Sequence, residues 1–311
     1  MAQLGNTDLD VFPLCLGGNV FGWTADREQS FAVLDTYLAA GGNFVDTADV
    51  YSTFVPGNAG GESEQVLGEW LRARGNRDDV LIATKVGMWE QRPGLSAANI
   101  TAAAEDSLRR LGTDHIDLYY AHHDDADTPL EEALTAFDGL VRSGKVRHIA
   151  ASNYSAARLQ EALSVSRSGG LAEFAALQPH YNLVERADFE GELSALVERE
   201  GLGVLPYYAL AKGFLTGKYR PGDDTSDSPR AEGARAYLDE RGVQVLAALD
   251  EIALVRGVPL ASVALAWLAG KPGVTAPIAS ARNLDQLQPL LTAAEIRLSA
   301  EEMQRLDDAS R

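Results

Sequence analysis

Short apolar, β-rich runs recur eight times along the chain, each separated from the next by a stretch of helical period, and this alternation limits the fold more tightly than any single motif. The runs fall at 13–19 (PLCLGGN), 43–48 (NFVDTA), 79–85 (DVLIATK), 115–122 (HIDLYYAH), 145–152 (KVRHIAAS), 174–179 (FAALQP), 202–208 (LGVLPYY) and 273–279 (GVTAPIA). Between them SFAVLDTYLAA, ESEQVLGEWLRA, ANITAAAEDSLRRLG, LEEALTAFDGLVRSG and SAARLQEALSVS read as amphipathic helices closed by glycine or basic residues. With no Ser/Pro-rich linker and no sharp change of composition, the alternation predicts one closed parallel sheet rather than two domains. The expected fold is α/β, a single (β/α)8 TIM barrel domain over residues 1–311. An N-terminal β-hairpin precedes it at LGNTDLDV, and extra helices follow strand 7 and close the C-terminus. The long polar loop after strand 7, from Tyr208 to Gly233, is expected to cover a site.

In such a barrel the functional face lies at the C-terminal ends of the strands, so the residues on which the apolar runs finish carry the information. They are polar: Asn19, Asp46, Lys85, His122, Ser152 with Asn153, Gln178, Tyr207, and Ser280 with Arg282. A barrel whose loops merely begin in water also ends its strands on polar groups, but that does not select an acid, an ammonium and an imidazole on neighbouring strands two, three and four. The phenol of Tyr51 follows closely on Asp46. A phenol's ordinary pKa of about 10 is too high for ready proton exchange at neutral pH. An ammonium about 4 Å away contributes roughly 4 kcal/mol at an effective dielectric near 20, so Lys85 is expected to favour the phenolate of Tyr51. Asp46 then anchors Lys85, and His122 hydrogen-bonds a substrate oxygen or relays its proton. None of these groups is a strong nucleophile. The set therefore suits carbonyl reduction, with hydride from a cofactor and a proton from Tyr51, better than acyl or phosphoryl transfer.

DTADVY, GESEQVLGEWL, the TK at Thr84, DLYYAH, the SN at Ser152, LQPHYN, LAKGFLTGKY and APIASARN resemble, in order and over nearly the whole chain, the successive motifs of the aldo-keto reductases. LAKGFLTGKY is similar to bacterial members and to the related potassium-channel beta subunits. The resemblance implies Tyr51 as proton donor supported by Lys85, Asp46 and His122, and NADP(H) lying extended across the barrel mouth. By position it implies that Ser152, Asn153 and Gln178 hold the nicotinamide carboxamide, that Tyr207 stacks on the ring, and that Gly18, Asn19 and Val20 approach from the first strand. Leu210, Lys212, Gly213 and Lys218 then lie along the pyrophosphate, and Ser280, Ala281, Arg282 and Gln286 surround the adenosine end. Trp23, Phe54, Trp89, His123 and Tyr208, on loops just beyond the strand ends, are candidate walls for a small-molecule carbonyl substrate. Two departures stand out. Tyr208 and Ala209 replace a common Ser-Pro, and Pro289 and Leu290 replace a common Glu-Asn near the adenine.

Charge narrows the partners. The net charge of −18 argues against general affinity for nucleic acid or an anionic membrane, so an anionic cofactor needs a local basic patch. Residues 207–222 hold Lys212, Lys218 and Arg220 with no acid, and Arg282 adds a cation after strand 8. No apolar run approaches the roughly 18 residues of a membrane span, the N-terminus lacks the pattern of a signal peptide, and the single Cys15 permits no internal disulfide; the expected location is cytoplasmic. Two other readings share the fold. HHDDAD at 122–127 resembles a metal cluster of a barrel hydrolase, although adjacent strand residues face opposite ways, so His122 and His123 do not share one metal. A cofactor-sensing binding subunit is the other.

Overall fold

The computed structural model describes residues 1–222 and 229–311. Strands β1 (Ala2–Gln3) and β2 (Asp10–Val11) pair antiparallel as the N-terminal hairpin. They are followed by β3 (Cys15–Gly17), β4 (Phe44–Asp46), β5 (Leu81–Val86), β6 (Ile116–Ala121), β7 (Val146–Ser152), β8 (Phe174–Gln178), β9 (Gly203–Val204) and β10 (Ile278–Ala279), one in each apolar run. These form a parallel sheet in the order β10-β3-β4-β5-β6-β7-β8-β9. Its edges meet, because Val204 N donates to Gly273 O (3.1 Å), Thr275 N to Val204 O (2.9 Å) and Ile278 N to Pro206 O (2.9 Å). The sheet is thereby a closed barrel. β9 and β10 are short because Pro206 and Pro277 bring no N–H to the ladder, although their carbonyls accept bonds from Ile278 and Cys15.

The expected helices lie at Arg27–Ala39, Glu62–Arg74, Ala97–Leu111, Leu130–Arg142 and Ala156–Gly169. Ser96 and Ser155 start two of them by accepting the backbone N–H three residues on, and Gly112, at φ +66°, ends Ala97–Leu111 in the left-handed conformation. Glu240–Arg256 and Leu260–Ala269 follow the long seventh loop, and Leu284–Glu295 and Ala300–Ala309 close the chain. No single helix among the described residues is long and apolar enough to cross a membrane.

Period two sorts every strand. Phe44, Ala83, Leu118, Tyr120, Ala150 and Ala176 pack inside the barrel, while Val45, Ile82, Tyr119, Ile149 and Leu177 pack outward against the helices. Leu4, Leu9 and Val11 of the hairpin join the inner cluster and plug its lower end. Gly5 makes that fit possible: at φ +52° it lies so close to the sheet that a Cβ would stand 2.5 Å from Ala175 O and 2.7 Å from Gly203 N. One further inward step along the strands reaches Asp46, Lys85, His122, Ser152 and Gln178. The pleat that fills the core below therefore delivers the polar set to the upper rim.

Candidate active site

Lys85 is the centre of the rim. Its side chain is fully buried, and its Nζ donates to Asp46 Oδ2 at 2.6 Å, Thr47 O at 2.8 Å and Tyr51 Oη at 2.7 Å. An ammonium has three protons, and all three are used. Asp46 Oδ2 also lies 3.2 Å from Tyr51 Oη, and Asp46 Oδ1 accepts from Gln178 Nε2 at 2.9 Å. Because Lys85 donates to the phenol oxygen, the phenol's own hydrogen is directed elsewhere, and Asp46 is its acceptor here. Tyr51 sits on a turn fixed by the next residue. Ser52 takes a left-handed φ of +72°, and its hydroxyl donates to Phe21 O at 3.1 Å, which ties the Tyr51 loop to the loop after β3. His122 is buried beside Tyr51, ring centroids 6.3 Å apart and edge-on, and its Nδ1 has no hydrogen-bond partner among the described residues.

Burial and the negative charge of Asp46 hold the Tyr51 phenol well above its ordinary pKa. This corrects the expectation that Lys85 draws the phenol toward its ionised form: Asp46 sits 2.6 Å from the same ammonium and balances it, so desolvation decides the direction. Burial, with the Lys85 charge acting the same way, pushes His122 well below the usual imidazole value. Both groups are neutral at neutral pH. Tyr51 therefore holds its proton, with the Lys85 ammonium donating to its oxygen at 2.7 Å.

Above the rim opens a cleft of about 610 Å³. Asp46, Tyr51 and His122 line its floor, with Asn19, Val20, Ser152, Asn153, Gln178 and Tyr207 around them. It runs on past Leu210, Lys212, Gly213 and Lys218 to Ser280, Arg282 and Gln286. Gly18 and Ala281 lie behind the surface instead. Gly18 N donates to Asp46 O at 2.7 Å and Ala281 is fully buried, so Gly17 and Ala279 are the ones that reach the cleft. Ser280 Oγ donates to Asn19 Oδ1 at 2.5 Å and joins the rim where β10 meets β3. Ser152, Asn153 and Tyr207 are linked to one another: Asn153 Nδ2 donates to Ser152 Oγ at 3.2 Å and to His122 O, Tyr207 Oη donates to Asn153 Oδ1, and Ser152 Oγ donates to Gln178 O. Pro289 and Leu290, the two departures from the family pattern noted in the sequence, also line the cleft.

Of the expected substrate walls, Trp23 and Tyr208 face the cleft and Phe54, Trp89 and His123 do not. Phe54 stands outside Trp23, edge-on at 4.7 Å and 59% exposed. Trp89 is turned onto Gly60, with the Arg92 guanidinium 5.2 Å from its ring. His123 points away as the strand pleat requires, its Nε2 3.1 Å from Gly87 O and its Nδ1 against Asp124 O. Among the described residues no group of three His, Cys, Asp or Glu side chains is placed to hold a metal ion. Met88 takes the place on the wall that Trp89 was expected to fill.

The basic patch also differs in one member. Arg220 is committed to Asp250 through two bonds of 2.7 Å, whereas Arg230, beyond the stretch counted in the sequence, lines the cleft with its guanidinium 5.2 Å from the Trp23 ring. A basic residue after a Pro in the long loop was the only signal for it.

A parallel (β/α)8 barrel, a protonated tyrosine held by a buried Lys–Asp pair at the C-terminal end of the strands, and a cation-lined cleft above it are consistent with a barrel oxidoreductase. The family model for the aldo/keto reductase family matches residues 13–311, and the chain belongs to that family. It is 36% identical to the uncharacterized oxidoreductase YrpG of Bacillus subtilis, over 98% of this chain and 94% of that protein. It is 34% identical to a probable voltage-gated potassium channel subunit beta of Oryza sativa, covering 94% and 90%, and 33% identical to an aryl-alcohol dehydrogenase [NADP(+)] of Phanerodontia chrysosporium, covering 96% and 83%.

Proposed function

We propose that this protein reduces aldehydes or ketones to alcohols with NADPH, Tyr51 supplying the proton. The observation that carries the reading is the Lys85 tripod, which holds a neutral phenol at the floor of the cleft. When bound, NADPH supplies a hydride to the carbonyl carbon. Tyr51 gives its hydrogen to the carbonyl oxygen in place of Asp46, and the resulting phenolate keeps the bond from Lys85. His122, neutral and on the floor of the cleft, orients the same oxygen. Trp23, Met88 and Tyr208 exclude water from the floor and favour flat or apolar carbonyl compounds.

The cleft fits the cofactor on its own chemistry. In a chain of net charge −18, four cations, Lys212, Lys218, Arg230 and Arg282, line it. Arg282 makes no ion pair with another described residue, and Gln286 accepts from its backbone N–H at 3.1 Å. A guanidinium in that position forks onto a 2′-phosphate, and charge-assisted bonds of this kind contribute about 1.5–3 kcal/mol. Arg282→Ala is accordingly expected to weaken NADPH binding by roughly ten- to a hundred-fold and to leave NADH nearly unchanged. Equal losses for both cofactors in a fluorescence titration would remove Arg282 from this role.

The likeness to a channel beta subunit supports a second reading, a cofactor-sensing binding subunit. A fully bonded Lys85 beside a protonated tyrosine is not needed to hold a cofactor, which favours the reductase. Turnover of a simple aldehyde with NADPH separates the two.

A further inference from the structure

The loop after β8 is built against the aromatic wall of the cleft. Tyr207 N donates to Pro179 O at 3.0 Å and His180 bridges Tyr207 in parallel, so the pairing of β8 with β9 is continued beyond both strands. Two positions further along, Asn182 is fully buried; its Nδ2 donates to Tyr208 O at 3.0 Å while its Oδ1 accepts from Val184 N and Glu185 N. Tyr208 is thereby held at φ +51°, a left-handed conformation in a residue with a bulky side chain. With Tyr208 and Ala209 at this turn, its conformation is set from the neighbouring loop.

The same register puts the His180 imidazole behind Tyr207. The rings lie 5.2 Å apart at 16°, an offset stack, and the Tyr208 ring meets His180 edge-on at 5.5 Å. Tyr207 lines the cleft and His180 does not, so Tyr207 has the cleft on one side and the imidazole on the other. Its hydroxyl is fixed as well, donating to Asn153 Oδ1 at 2.8 Å. His180 Nε2 is buried with no hydrogen-bond partner among the described residues. A polar nitrogen left unpaired is a cost, so at this nitrogen the ring contributes packing rather than a hydrogen bond. Burial, with Lys212 acting the same way and Glu185 and Asp188 opposing, holds the imidazole below its usual pKa, which keeps the ring neutral.

We propose that His180 is a positioning residue for the nicotinamide, backing Tyr207 so that its ring presents one fixed face to the cofactor. The inference rests on the NADPH reading of the cleft. Without the imidazole, Tyr207 has empty space behind it, and its ring tilts about the Asn153 bond.

The test uses NADPH beside 2′,5′-ADP, which carries the adenosine half of the cofactor and no nicotinamide. His180→Ala is expected to weaken NADPH binding by about ten-fold and to change 2′,5′-ADP binding by less than about two-fold; His180→Phe, which restores a flat ring, is expected to recover NADPH affinity. Unchanged NADPH affinity in His180→Ala overturns the proposal, as does an equal loss for 2′,5′-ADP, which would mean general damage to the loop. Failure of His180→Phe to recover affinity also overturns it. If the unaltered protein binds neither ligand, the cofactor reading itself fails, and this inference with it.

Discussion

Tyr51→Phe is expected to lower turnover of an aldehyde by roughly 10²–10⁴-fold while NADPH affinity stays within about two-fold of the unaltered protein. The substitution removes one oxygen from the floor of the cleft and leaves every cation along it in place. It also removes the one phenol among the described residues within bonding distance of Lys85, 2.7 Å away. Tyr120, the other phenol near that ammonium, has its ring centroid 5.7 Å off and packs inside the barrel. No second donor steps in. Steady-state rates with saturating cofactor, set beside a binding titration, measure both quantities. Turnover close to that of the unaltered protein would transfer the proton donor to another group and discard the role given to Tyr51.

Lys85→Met is expected to abolish turnover to a similar degree, and also to destabilise the fold by about 3–5 kcal/mol. The two effects have different causes. Asp46 is 2% exposed and bonded to Lys85 at 2.6 Å, so removing the ammonium leaves a buried carboxylate whose charge is no longer balanced. Removing that charge as well separates stability from catalysis. The double variant Asp46→Asn, Lys85→Met is expected to regain most of the lost melting temperature and none of the activity, because the phenolate formed from Tyr51 still lacks its donor. Should the double variant also regain turnover, Lys85 serves only to neutralise Asp46, and its bond to Tyr51 is incidental.

The fold was legible because barrel strands and their helices obey local rules. β3 to β10 each coincide with an apolar run, β5 reaching one residue past its run to Val86, and the helices begin and end on groups such as Ser96, Ser155 and Gly112 that satisfy backbone bonds locally. Glu192–Glu200 was less visible, since Leu193, Leu196 and Val197 alone are buried on it. The rim was legible for the same reason: Asp46, Lys85, His122 and Gln178 are still in phase with the pleat. Beyond the strand ends that period is lost. Which of Met88 and Trp89 faces the cleft depends on Gly60, which leaves room for the indole on the other side. Likewise Arg220 and Arg230 are indistinguishable as letters, and Asp250, thirty residues away on a packed helix, decides that Arg220 is occupied. The state of Tyr51 needed distances too. Both a cation and an anion were expected near it, and only their separation shows that they cancel and leave burial to set the direction.

The central claim is that the cleft brings a nicotinamide to a carbonyl carbon beside Tyr51. The direct measurement is the fate of deuterium from NADPH labelled at the nicotinamide pro-R position, read by mass spectrometry of the alcohol formed from an aromatic aldehyde. The resemblance to the aldo-keto reductases implies that Tyr207 stacks on the face opposite the pro-R hydrogen, so the account predicts one deuterium on the carbinol carbon, and none when the label is at the pro-S position. An alcohol without deuterium from the pro-R label, or NADPH bound and never oxidised across a panel of aldehydes and ketones, would contradict it.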